Sequence, residues 1–455
     1  MPLDGLTALG QFAAELHADR LPTPVIGKTK ACLLYGLAVG VAGMASRQAA
    51  QAASAIDAAA SGGATSFLDD RATPPAFAAL ANGALLHARV QDDAHPAGHV
   101  GVVVIPAALA VAEARGASGL DLIAALVAGY EVALRIGRDH AADASARGFR
   151  TTPIYGVFGA AAAAGHLAGL DATAMTNALG LAANMAGGLR EFAESGSEDF
   201  PFHAGTAASN GITAMRLATG GATASASALN GAAGFYRAYG EKDRRYGRDL
   251  VTDLGRCFEI MAVTYKPFPI CQFHRGIVRG SAALAQQAGA VPLTALTARL
   301  HPFEADFFGV RFTGPFHTFP QTFMSAPFCA ALAWARGTAS YAGLTDFAAA
   351  DVLALVPRIA IVAEPSRDRF APALEARLAD GRTLSWEEHE RAGAYDLTWP
   401  AARAMTDQLM AEIGVARSHG SQLAAAVDAI ARSASIEPLL NAMRGACRAA
   451  RAVAG

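Results

Sequence analysis

The chain has 455 residues, 53% of them hydrophobic and 17% charged, a composition that buries a large core and excludes a disordered protein. At about three times the usual ~150-residue domain it predicts two unequal domains. Lys and Arg number 37 against 39 Asp and Glu, a formal charge of −2 with no basic block, which excludes a nucleic-acid-binding surface.

Five scattered cysteines (Cys32, Cys257, Cys271, Cys329 and Cys447) without a CxxC pair argue against a disulfide framework or structural zinc and fit a reducing cytosol. The first 22 residues carry acids early and no basic stretch ahead of an apolar one. They read as an amphipathic helix and not as a signal peptide. Residues 31–46 and 151–170 are charge-free but rich in Ala and Gly, so they are expected to be helices buried by other helices and not membrane spans. A cytoplasmic protein is expected. As far as about residue 260, Ala, Gly and Leu recur at helical spacing, broken by turn signals at Ser61-Gly62-Gly63, Gly119 and Gly220-Gly221. Residues 158–167 (FGAAAAAGHL) suit a helix with close neighbours. Asp171 reads as the cap of a helix that runs to the Gly187-Gly188 pair.

From Tyr265 onward prolines and aromatics cluster, and β-type runs appear at 294–300, 358–362 and 373–378, the last ending in the Asp380-Gly381 turn. Helical spacing returns after Trp386, at 401–413, 422–432 and 436–453. The expected fold is mainly α: a large helical domain from residues 1–264 and 390–455, with a smaller α+β domain, 265–389, inserted by two crossings.

Four polar clusters can carry chemistry. The first, residues 87–99, holds His87, Asp92, Asp93, His95 and His99 in a loop broken by Pro96 and Gly98, just ahead of an apolar run. Such a loop at the mouth of a buried helix suits acid and base groups. Helix capping by the acids is the plain alternative. His95 and His99 are four apart, but the intervening Pro and Gly disfavour a helical metal site. The second, residues 148–156, sets Arg150, Thr151, Thr152 and Tyr155 at a helix entrance, suited to a carboxylate. An ordinary capped helix with a surface Arg fits it equally. The third, residues 195–205, contains His203, either a ligand contact or a satisfied core histidine. The fourth, residues 264–274, places Lys266 among apolar neighbours at the apparent domain boundary, followed by Cys271 and His274. A desolvated lysine there makes a usable base, whereas a snorkelling one is inert. Walker, GxGxxG, GxSxG and HExxH motifs are absent, which removes nucleotide-dependent and serine-hydrolase readings.

Jointly these stretches resemble the MmgE/PrpD family, which includes 2-methylcitrate dehydratase, cis-aconitate decarboxylase and iminodisuccinate epimerase. The likeness runs through the 87–99 loop and its continuation to Glu113, Gly129-Tyr-Glu-Val132, Gly156-x-Phe-Gly-Ala-Ala, His203-Ala-Gly-x-Ala-Ala-x-Asn-Gly211, Leu229-Asn-Gly-x-x-Gly-Phe235 and Lys266-Pro-Phe-Pro-x-Cys271-x-x-His274. The resemblance implies an all-helical domain from both chain ends and an α+β lid domain between them. It also implies a homodimer, no metal or organic cofactor, and removal of a proton beside a carboxylate of a small di- or tricarboxylate. His99 and Lys266 stand where such enzymes carry an active-site His and Lys, and Asp92 and Asp93 keep two acids of the loop. The expected proton-transfer residues are Lys266, His99 and Tyr155. Arg150, Asp92, Asp93, His95, Thr152, His203 and His274 are expected around the substrate.

Four positions depart from the pattern: Val90 replaces an Asp, Ala94 a Thr, Arg150 a His and Phe200 a Lys. Dehydration needs a base for the C–H and an acid for the leaving hydroxyl, and these losses thin the second role. Epimerisation needs only groups on opposite faces of one carbon, Lys266 and His99 or Tyr155, with Arg150 gripping a carboxylate. An epimerase is therefore favoured at this stage. A dehydratase or decarboxylase, a non-catalytic carboxylate binder and a metal-dependent hydratase using Asp92, Asp93, His95 and His99 are the alternatives.

Overall fold

The computed structural model describes residues 5–56, 60–389 and 395–454. The expected domain bound at residue 390 and the first four residues of the expected N-terminal helix lie outside them, while the helices expected at 401–413, 422–432 and 436–453 appear as Trp399–Glu412, Arg417–Ala429 and Glu437–Ala454. The chain divides into two compact units: Met1–Leu189, Phe200–Tyr265 and Leu397–Gly455 form the larger, and Arg190–Asp199 with Lys266–Asp396 the smaller.

The larger unit is helical, and its packing follows from small residues. Helix Thr151–Ala168 is buried along nearly its whole length and packs against Gly119–Gly137, Gly101–Arg115 and Phe200–Thr219. Helices Pro75–His87 and Phe200–Thr219 touch at two glycines: a Cβ on Gly83 would lie 2.8 Å from the Gly205 Cα, and one on Gly205 only 2.2 Å from the Leu80 carbonyl oxygen. Backbone cannot yield as a flexible side chain does, so this crossing admits no larger residue. Pro106 sits inside helix Gly101–Arg115 and cannot donate to the Val102 carbonyl one turn back. That same carbonyl lies beside Gly83.

The mainly-α expectation is met. Among the described residues, Thr23–Ala42 is the one helix long and apolar enough to cross a membrane, and 78% of its apolar window is buried within the protein. The Asp171 cap is present, its carboxylate accepting from the Ala174 N–H at 2.8 Å. The helix it starts ends at Ala183, not at Gly187-Gly188. The Asn184 side chain turns back to the Gly180 carbonyl, and the following backbone is extended to bridge Leu189 with Phe149.

The smaller unit holds a four-stranded sheet in the order Ile359–Ala363, Leu293–Leu300, Ala373–Leu378, Thr383–Glu387. The first pair is parallel and the others antiparallel. Helices Arg275–Ala288 and Ala326–Arg336 pack on each other, the first also against the Ala373–Leu378 and Thr383–Glu387 strands. The fourth strand lies within the expected α+β stretch but was not among the expected β runs. Asp380-Gly381 makes a tight hairpin, Gly381 at φ 88°, and its register pairs Arg377 with Thr383. Trp386 packs against Gly280, where no side chain stands in its way. The texture change at Tyr265 gave no sign that Arg190–Asp199 joins this unit. Gly196 packs on Gln321, and its carbonyl accepts from the Thr318 hydroxyl at 2.7 Å.

Candidate active site

Three helix ends in the larger unit converge. His87 ends the helix Pro75–His87, Arg150 precedes Thr151–Ala168, and Phe200 begins the helix that carries His203. The Gly83–Gly205 crossing, four residues from His87 and two from His203, brings two of them together.

His87 is fully buried and bonded on both ring nitrogens. Nδ1 meets Asp92 Oδ1 at 2.8 Å, and Nε2 faces the Arg150 guanidinium. Arginine only donates, so Nε2 accepts and the proton sits on Nδ1, directed at Asp92. Arg150 also donates to the Phe200 carbonyl at 2.5 Å and contacts His203 Nδ1 at 3.3 Å. Asp92, His87 and Arg150 thus form one buried polar chain, which ends at the half-buried His203. Two of the four departures from the family pattern touch within it: the Arg150 guanidinium lies 5.7 Å from the Phe200 ring centre, and that ring packs edge-on against His87. Arg150 thus places a cation beside Phe200, the position at which the resemblance leads one to expect a Lys.

A second group centres on His99. Its Nδ1 lies 2.7 Å from the Asp93 carbonyl oxygen, an acceptor, so Nδ1 bears hydrogen and Nε2 holds the lone pair of the neutral ring. Its backbone N–H donates to the Thr152 hydroxyl at 3.2 Å. Asp93 is fixed by the Tyr130 hydroxyl at 2.5 Å and the Gly101 N–H at 3.3 Å, while residues 93–94 pair with 264–265. Burial first, and then Asp93, hold the Tyr130 phenol well above its usual range, so it remains a donor. Val90 stands at φ 55°, a conformation costly for a β-branched residue and one that an Asp tolerates.

Other expected site residues go elsewhere. Tyr155, fully buried, bonds His140 Nδ1 at 2.7 Å in a cluster with Phe235 and Tyr236, and His140 Nε2 meets the Tyr236 carbonyl at 3.2 Å. His95 accepts the Ala97 N–H on Nδ1 and directs Nε2 at Glu259, 3.4 Å away. The His95 hydrogen bond, together with Arg138, holds Glu259 down at about 2. Asp92, Asp93 and His95 are bonded to His87, Tyr130 and Glu259, and His99 to the Asp93 carbonyl; no group of three or more His, Cys, Asp or Glu among the described residues is arranged to hold a metal.

Lys266 and His274 belong to the smaller unit. Lys266 is 1% exposed and His274 fully buried. Burial pushes His274 down to about 3, against the Phe323 backbone beside it, which favours the charged ring. Burial also raises Cys271, which keeps it a thiol. Tyr130, Glu259 and His140 were not singled out from the sequence. Tyr130 lay inside a quoted motif, and the other two carried no local signal.

Burial likewise pushes His140 down to about 4. An unfolded imidazole takes a proton near pH 6.5, whereas the native one does so only near 4. The unfolded state then binds more protons between those values, so stability falls as pH drops through that window, by on the order of 3 kcal/mol for His140. Below pH 4.5 the depressed Glu259 adds a loss of the same sign. Urea unfolding at stepped pH is expected to show this decline, with a shallower slope for His140→Asn. An equal slope in the variant contradicts the assignment.

The sequence profile of the MmgE/PrpD N-terminal domain matches residues 7–246. A cis-aconitate decarboxylase-like protein, oryM, of Aspergillus oryzae is 35% identical over 232 residues, 48% of each chain. The cis-aconitate decarboxylase of Aspergillus terreus is 29% identical over 294 residues, 61% of this chain and 58% of that one. The human cis-aconitate decarboxylase is 37% identical over 169 residues, 36% of this chain and 34% of that one. The chain thus spans between about a third and three-fifths of the length of these relatives. With the profile covering more than half of its residues, the chain belongs to the MmgE/PrpD family.

Proposed function

We propose that the protein is a cofactor-independent lyase, acting as a homodimer, that decarboxylates a small tricarboxylate of the cis-aconitate type. The observation that carries this reading is the fixed orientation of His99: the Asp93 carbonyl takes Nδ1–H and leaves Nε2 as the proton-transfer atom. Loss of CO2 from a carbon allylic to a conjugated carboxylate breaks one C–C bond. The electron pair spreads into the remaining carboxylate, and one proton must reach carbon. Imidazolium His99 supplies that proton from Nε2, and the Asp93 carbonyl stabilises its charged form. The positive charge of Arg150, buried beside His87, favours the carboxylates that stay behind. Lys266 is assigned to proton transfer as well.

Decarboxylation, like epimerisation, dispenses with the acid that a leaving hydroxyl requires. The departures at Val90, Ala94, Arg150 and Phe200 are therefore as compatible with a decarboxylase as with an epimerase. The relatives named above are decarboxylases or decarboxylase-like, and no contact in the site favours an epimerase, so that earlier preference is dropped. The test is to incubate the full chain with cis-aconitate in D2O and follow CO2 and the product by NMR. CO2 release with one deuterium on the product carbon is expected. Deuterium exchange without CO2 overturns the reading in favour of an epimerase, and alkene formation from 2-methylcitrate without CO2 overturns it in favour of a dehydratase.

A further inference from the structure

Arg190 belongs to the short segment that joins the smaller unit. Its guanidinium stacks over the Phe307 ring, 4.5 Å from the centre. Its Nε is buried and has no hydrogen-bond partner, and no carboxylate among the described residues pairs with it. Arg190 as a whole is half-buried, and the fully buried guanidiniums of this chain are treated differently. Arg135 is paired with Glu131 and bonds the carbonyls of Leu250, Thr252 and Cys257 at 2.8–3.0 Å, and Arg89 meets Glu412 at 2.8 Å. A buried cation ordinarily demands such a partner.

Burial brings Arg190 down to about 10, so it stays charged at neutral pH. The Cys271 thiol beside Arg190, kept protonated by burial, does not cancel its charge. The acid that Cys271 also senses, Glu304, is taken by Arg369 at 3.3 Å and by the Phe370 N–H at 2.8 Å. With Phe307 covering one face of the guanidinium, its planar N–H edge is the part that can meet a ligand, and a carboxylate matches that edge.

We propose that Arg190 is a carboxylate-binding residue that makes a tricarboxylate a better ligand than the dicarboxylate lacking its central acid. The assignment rests on the polycarboxylate reading above and assigns Arg190 no part in the bond-breaking step. Calorimetric titration of the full chain with tricarballylate and with glutarate, which differ by that carboxylate alone, tests it without turnover. Tricarballylate is expected to bind the wild type at least about tenfold more tightly than glutarate, the scale of one charge-assisted pair. In Arg190→Gln that preference disappears through weaker tricarballylate binding, with glutarate affinity and the unliganded Tm unchanged. Arg190→Lys, which keeps the charge without the fork, falls between. An unchanged preference in Arg190→Gln, an equal loss for both ligands, or no binding of either by the wild type overturns the assignment. An Arg190-dependent preference in a protein that releases no CO2 from cis-aconitate upholds it and removes the lyase reading instead.

Discussion

Replacing His99 with Asn lowers turnover by about 10²–10⁴-fold, the usual contribution of a positioned acid or base, while the protein keeps its fold. The Asn amide can still donate to the Asp93 carbonyl that now takes the His99 Nδ1 hydrogen, and the backbone N–H bond to Thr152 is untouched. What disappears is Nε2, the only atom of the side chain able to carry a proton to carbon. The loss therefore falls on kcat, and calorimetric affinity for the unreactive tricarballylate stays within about twofold. Turnover within tenfold of wild type would remove His99 from the proton-transfer role.

The largest expected effect on stability belongs to Arg150. Arg150→Met removes the cation from a chain in which His87 is fully buried and Asp92 and Arg150 nearly so. Deleting the cation leaves the buried His87 Nε2 without the donor it has in Arg150, at a cost of about 1–3 kcal/mol. The Phe200 carbonyl, which Arg150 serves at 2.5 Å, loses a donor as well. The pairing of two departures gives a sharper test. Arg150→His and Phe200→Lys are each destabilising alone, while the double variant restores one cation beside His87. It is expected to be more stable than the sum of the singles by about 0.5–3 kcal/mol. Urea unfolding of the four proteins measures this, and strict additivity means that the two positions do not compensate each other.

The contrast between these residues and Tyr155 shows what kind of information the sequence held. Tyr155, one turn into its helix, was read as a proton-transfer residue because of its neighbours in the chain. Its hydroxyl is taken by His140 at 2.7 Å, fifteen residues earlier, and nothing within a turn of Tyr155 points to that partner. His95 was read with its loop and bonds Glu259, from a part of the chain where no motif was seen. Arg190 escaped attention altogether, because an arginine beside a Gly pair looks like any surface residue until its missing acid is noticed.

By itself the sequence determined the helical class, the position of three strands, the loop that carries the acids and imidazoles, and the four positions at which the family pattern is broken. These are local properties: periodicity, turn chemistry and residue identity act over a few residues and survive without knowledge of contacts. The tertiary structure decided the partnerships, since Arg150 reaches His87 across 63 positions, Tyr130 fixes Asp93 across 37, and a backbone carbonyl sets the tautomer of His99. Such pairings depend on how closely helices approach, and here that distance is set by two glycines, Gly83 and Gly205, whose meeting no single stretch of chain can reveal.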